Sequence, residues 1–265
     1  MSFLETFVIL LAAGIVGSLF GSFVNVVAIR AHENSTLTGR SKCMHCKKVL
    51  HPRHLVPILS WLLQRGKCAM CGKPINIQYP LIEFSAALFA VIAVARHLPD
   101  GAWFMAGYEF FFAVALLIFL VTDLRWMELP LELMVGTGIV FSLWHMILRS
   151  ASGEPALFVL WSHALGCGLV ASFFLFQYIV SRRRWIGSGD IWLGGMLGAV
   201  LGWPLAGIAI YLAYVFGGVA ALGLLLAKKI KPGMRIPFAP ALIAGAISAL
   251  WWGPDVLAWL SHAVS

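Results

Sequence analysis

The sequence predicts an all-α polytopic membrane protein of about eight transmembrane helices, with a small cytoplasmic zinc-binding domain between helices 1 and 2. Three observations lead there. Of 265 residues, 61% are hydrophobic and 11% charged, with a mean hydropathy of +0.90, whereas a soluble domain carries about 25% charged residues. The apolar residues gather into eight long stretches, and four of the five cysteines fall in the one extended polar segment. This balance excludes a soluble enzyme, a disordered chain, a disulfide-rich mini-protein and a fibrous repeat.

A helix needs roughly 17 to 25 mainly apolar residues to cross a hydrocarbon core about 30 Å thick. The first stretch runs from Phe7 to Ile29. Without a basic flank or a small-residue cleavage site it reads as a retained span, not a removable signal. The second, Leu81 to Leu98, is the weakest, because Glu83 and Arg96 leave twelve uncharged residues between them; Glu83 is expected at the membrane interface. The third runs from Ala106 to Thr122, the fourth from Leu133 to Leu148 and the fifth from Pro155 to Ser181. From Ile191 to Ala227 an uncharged run is too long for one span, and Gly202, Trp203 and Pro204 divide it into the sixth and seventh. The eighth runs from Pro237 to about Leu257 and ends in a wet tail with Asp255.

Basic loop residues are retained on the cytoplasmic side. With eight spans, the 30–80 segment, Arg125, the Arg182–Arg184 run and the group Lys228, Lys229, Lys231 and Arg235 share one side, which holds 17 of the 19 Lys and Arg. Both termini are then outside, and the 31–80 segment is cytoplasmic. Topology and anionic lipid account for the net charge of +8, so no nucleic-acid partner is expected.

Within that segment stand Cys43-Met-His-Cys46 and Cys68-Ala-Met-Cys71, with 21 residues between the pairs. Two C-x-x-C pairs have the spacing of a tetrahedral four-thiolate zinc site, closed and therefore structural. The alternative is two disulfides, which a reducing cytoplasm disfavours. About fifty residues are also too few for a self-sufficient core, and a metal supplies the missing stabilisation. His45, His51 and His54 read as surface histidines, and Cys167 as a small packing residue.

Carboxylates in or beside a span are costly and thus functional candidates. Asp123 closes the third span, and Asp190 opens the sixth within Gly187-Ser188-Gly189-Asp190; the loop charges place both at the cytoplasmic edge. Two carboxyl groups meeting in a partly dry site share a proton, one serving as general base on a water and the other as general acid. Gly187 and Gly189 are expected to supply unusual backbone angles or close approach. The plain alternative for Asp190 is a helix cap. Glu109, Glu128 and Glu132 read as interfacial or solvated.

Six features stand in order along the chain: Gly21-Ser22-Phe23-Val24-Asn25-Val26-Val27 leading to Arg30; the two C-x-x-C pairs with Pro57-Ile58-Leu59-Ser60-Trp61 and Arg65-Gly66-Lys67 between them; Tyr79-Pro80-Leu81-Ile82-Glu83; Asp123 with Pro130; G-x-G-D at 187–190; and Ile236-Pro237-Phe238-Ala239-Pro240. In this the chain resembles the type IV prepilin peptidases, bifunctional leader peptidases and N-methyltransferases of type IV pilus and type II secretion systems. The resemblance implies three parts: a first transmembrane helix over 1–30, a four-cysteine domain over 31–80 that the family links to methylation, and a transmembrane aspartyl peptidase domain over 81–265. It implies Asp123 and Asp190 as the catalytic pair, prepilins or pseudopilins as substrates, S-adenosylmethionine as methyl donor, and the bacterial inner membrane as location. Trp192 stands where the family usually has Lys, and Leu131 where an acidic or amide residue is common. The competing readings are an intramembrane aspartyl protease of the presenilin type, without methyl transfer, and a proton-coupled transporter. The four-cysteine segment argues against the first. The clustering of the two aspartates at one edge argues against the second, since a relay needs carboxylates spaced through the bilayer.

Overall fold

Long apolar runs without backbone partners in lipid must satisfy their own N–H and C=O groups, and helices do so. A computed structural model of the protein describes residues 2–229 and 236–264; Lys231 and Arg235 of the last basic loop lie outside the described residues. In chain order the helices are α1 Phe3–His32, α2 Leu59–Leu63, α3 Gln78–His97, α4 Trp103–Trp126, α5 Leu131–Ala151, α6 Ala156–Val180, α7 Ser188–Leu201, α8 Leu205–Leu226 and α9 Ala239–Val264. Among the described residues the only extended pairing is two isolated bridges in the cysteine segment. Seven of the helices have the length and composition of membrane spans.

The expected sixth span differs. It is the 14-residue α7, about 21 Å long at 1.5 Å per residue and short of the hydrocarbon thickness. Nine of its fourteen residues are packed inside the protein. Gly202 ends it in a left-handed conformation (φ 71°), and α8 begins after Pro204. At its C-terminus the imidazole Nδ1–H groups of His145 and His163 donate to the carbonyls of Val200 (2.9 Å) and Ala199 (2.6 Å), satisfying groups a helix end leaves open. α9 continues as helix through Pro254 and the exposed Asp255 to Val264, beyond the expected end near Leu257.

The chain divides into two compact units, Met1–Val121 and Thr122–Ser265. In the first, α1 packs along α3. A side chain at Gly17 or Gly21 would strike the α3 backbone at Ala86 or Glu83, so these glycines let two helix backbones meet, as small residues do between membrane helices. Phe20 sets its ring edge against Phe110 and Phe111 of α4. Glu109, read from the sequence as interfacial or solvated, is buried within the protein, where His97 Nε2 hydrogen-bonds to it at 2.9 Å and Arg96 brings a counter-charge 3.6 Å away. In the second unit α7 lies against α5 and α6, and α8 against α9.

Candidate functional site

The second unit brings the two predicted aspartates together. Asp123 lies in the last turn of α4, Asp190 in the first turn of α7, and both are more than nine-tenths buried. Asp190 is near enough for its charge to act on Asp123. Each is held by a helix N-terminus. The Gly187 N–H donates to Asp190 Oδ2 at 2.9 Å, and the N–H of Ala239, first residue of α9, donates to the Asp123 carboxylate. Open N–H groups and the helix dipole favour negative charge at such ends. Asp190 is thus the third residue of α7, with Gly187 as its cap, and the cap alternative holds only as this one return bond. Asp123 Oδ2 is buried with no hydrogen-bond partner, an uncommon state for a carboxylate oxygen.

The expectation of unusual backbone angles at the two glycines is corrected. Gly187 has φ −81°, and neither it nor Gly189 is among the left-handed residues. What Gly189 supplies is space: a Cβ there would lie 3.0 Å from Leu129 Cδ1 and 3.4 Å from Leu129 Cβ, on the loop between α4 and α5. A Gly189→Ala variant must push Leu129 aside by a few tenths of an ångström and move the first turn of α7. Leader cleavage should fall several-fold with membrane abundance unchanged, and adding Leu129→Ala should restore it. An unimpaired single variant would show that the contact does not set the position of Asp190.

Two residues that sequence reasoning passed over, and Phe238, which it named only within the resemblance, join the site. Tyr214 of α8 senses the Asp190 charge, and its hydroxyl donates to Gln177 Oε1 of α6 at 2.8 Å. The Gln177 Nε2 is buried without a partner. Phe238, just before α9, sets its ring against Tyr214 (5.2 Å) and Phe174 (6.2 Å). Neutral polar residues within apolar runs carry no charge signal, and only the fold gathers them. Trp192 and Leu131, where the chain departs from the resemblance, are both exposed.

The four cysteines form a second centre, in the first unit. Their Sγ atoms all lie within 4.8 Å of one another, with Cys43 and Cys71 4.0 Å apart; zinc bonds of about 2.3 Å imply sulfurs about 3.8 Å apart. Two matching knuckles deliver them. In each, the first cysteine's N–H donates to the carbonyl five residues on, Cys43 to Lys48 (3.0 Å) and Cys68 to Lys73 (2.9 Å). The residue after the second cysteine is left-handed, Lys47 (φ 57°) and Gly72 (φ 68°). Burial raises the Cys43 thiol, but hydrogen bonds from the Cys46 and His45 backbones outweigh it and bring it down to about 7. At Cys71 the Lys73 backbone lowers it, while desolvation and the neighbouring sulfurs push it up to about 11. Thiols that oppose one another's ionisation in this way suit a divalent cation, which removes the conflict. His45, His51 and His54 stand outside this group.

Comparison with known proteins identifies the family of the chain. Residues 15–97 match the model of the bacterial peptidase A24 N-terminal domain, and residues 110–222 that of the type IV leader peptidase family. A prepilin leader peptidase/N-methyltransferase of Bacillus subtilis (strain 168) is 30% identical, over 92% of this chain and 95% of its own. One from Stutzerimonas stutzeri is 31% identical over 94% and 92%, and one from Aeromonas hydrophila 32% over 84% and 75%. No solved structure matches the chain.

Proposed function

Because this chain belongs to the prepilin leader peptidase/N-methyltransferase family, we propose that it cuts the leader from type IV prepilins or pseudopilins with Asp123 and Asp190, at the cytoplasmic face of a bacterial inner membrane, and then methylates the new N-terminus. The observation that carries the reading is the pair itself: two buried carboxylates from different helices, each anchored by a helix N-terminus, with Asp190 near enough for its charge to act on Asp123.

The chemistry follows from that arrangement. Two buried carboxylates in electrostatic contact are most stable with one proton between them. The ionised member takes a proton from a water as it attacks the scissile carbonyl, forming a tetrahedral diol; the protonated member gives its proton to the leaving amine. The roles belong to the pair, so a pH–rate profile reports the pair and neither residue alone. No covalent acyl-enzyme forms. The substrate's apolar helix lies beside the spans, which leaves its scissile bond at the aqueous edge. In the second reaction S-adenosylmethionine, when bound, would supply the methyl group that the freed α-amine accepts. The cysteine segment, whose Cys43, Cys46, Cys68 and Cys71 would hold a structural zinc, supports that step.

The test is co-expression with a prepilin and mass spectrometry of its mature N-terminus. Loss of the leader together with one added methyl group is expected. An intact leader would overturn the peptidase reading, and cleavage without the methyl group would leave the presenilin-like alternative.

A further inference from the structure

An outward apolar face in the cysteine segment has no protein partner among the described residues. On α2, Leu59, Leu62 and Leu63 follow the i, i+3, i+4 spacing that puts side chains on one face of a helix, and all three are exposed, Leu63 at 83%. Leu55 and Val56, just before, are exposed as well. The opposite face is tied inward: the Ser60 hydroxyl donates to the Arg53 carbonyl (2.9 Å) and the Trp61 indole N–H to the Ile75 carbonyl (3.2 Å). Apolar faces left outward in this way mark contact surfaces.

The level of this face is fixed by one bond. Ile58, immediately before α2, has φ 62° and ψ −54°, and the Leu59 N–H reaches back to the Pro57 carbonyl at 2.6 Å. That is a γ-turn of the strained, positive-φ form, rare for any residue and more so for a β-branched one. The turn aims the Ile58 N–H at Glu83 Oε2, 2.6 Å away, and Ser22 of α1 bonds to the same carboxylate. Glu83 is the sixth residue of α3, about 8 Å along that helix from its start. At the same level the spans turn apolar residues outward, Phe23 on α1 and Leu81 and Phe84 on α3. Whatever medium those residues face, the leucines of α2 meet its boundary. Exposed Arg53, Arg65 and Lys67 flank the leucines, the charge that anionic headgroups attract.

We propose that Leu55–Leu63 is a membrane-surface anchor: its leucine face is seated in the headgroup boundary of the bilayer, and its depth is set by the bond from Ile58 to Glu83. The anchor holds the cysteine segment down on the membrane. It rests on α1 and α3 being spans, and the test separates the two claims. In the full-length protein, in phosphatidylethanolamine/phosphatidylglycerol vesicles, the photoreactive residue p-benzoylphenylalanine replaces Leu63, Phe84 or Met44 in turn. Met44 is exposed in the first cysteine knuckle. After irradiation, mass spectrometry reads the lipid adduct on each peptide. Leu63 and Phe84 should both carry lipid, several-fold above Met44, and Glu83→Ala should lower the adduct at Leu63 while leaving that at Phe84. Labelling of Phe84 with Leu63 at the level of Met44 would overturn the anchor. So would cross-linking of Leu63 to a second copy of the chain, or an adduct at Leu63 indifferent to Glu83→Ala. An unlabelled Phe84 would overturn the span reading beneath it.

Discussion

Replacing Asp123 by Asn, or Asp190 by Asn, should leave a folded, membrane-inserted protein that no longer cuts a prepilin. The amide nearly reproduces the carboxylate's shape, and its oxygen can still accept the N–H of Ala239 or Gly187. Stability should therefore change by no more than about 1 kcal/mol. What the amide cannot do is carry the proton. General acid or base catalysis contributes about 10²- to 10⁴-fold, and the pair needs both members, so cleavage should fall by about 10³-fold or more with either change. Membrane abundance and detergent-extracted melting temperature check the first half, and leader cleavage of a co-expressed prepilin the second. If either variant cleaved at near the parent rate, the assignment of the pair would be wrong.

The second large effect is expected in the other unit. Changing Cys43 and Cys46 together to Ser should release the metal, loosen the segment from Ala31 to Tyr79, and reduce methylation more than cleavage. Four thiolates supply the site, and structural zinc contributes about 10 to 16 kcal/mol of binding free energy, so losing two ligands removes several kcal/mol of folding free energy. Within the segment the knuckles are short hairpins with one bridge each, Lys42 to Val49 and Lys67 to Pro74, too little hydrogen bonding to persist alone. Asp123 and Asp190 stand in the second compact unit, on helices whose positions come from packing. Zinc content, limited proteolysis of the segment, cleavage and N-methylation are measured on one purified variant. Retained methylation with no bound metal would defeat the structural-zinc reading. Equal loss of both activities would mean that the segment also holds the leader.

Much of this protein was legible in its sequence because lipid imposes a simple rule. A span must be apolar for its whole length, so α1, α3, α4, α5, α6, α8 and α9 were marked by composition, with ends displaced by a few residues where capping and not hydropathy decides. The knuckles were legible because metal ligands must sit at fixed short spacing. The aspartates were legible because a carboxylate in an apolar setting needs a reason to be there. Hydropathy could not show that α7 is only 14 residues long and mostly packed inside the protein. Nor could it show that Glu109, read as interfacial or solvated, is buried beside His97 and Arg96.

The sequence by itself thus determined which segments leave water, where a metal can be held, and which acids are available for chemistry. Tertiary structure alone decided that Asp190 comes near enough to act on Asp123, that Gly187 and Ala239 hold the two carboxylates, and that Tyr214 stands near Asp190 with Gln177 and Phe238 against it. It also decided that Gly189 is needed for room against Leu129 and not for backbone freedom, and that Glu83 seizes the Ile58 turn. The physical reason is range: hydropathy, ligand spacing and turn chemistry act within a few residues along the chain. A hydrogen bond, a shared charge or a steric contact depends on which helix faces come together, and only the packed protein sets those faces.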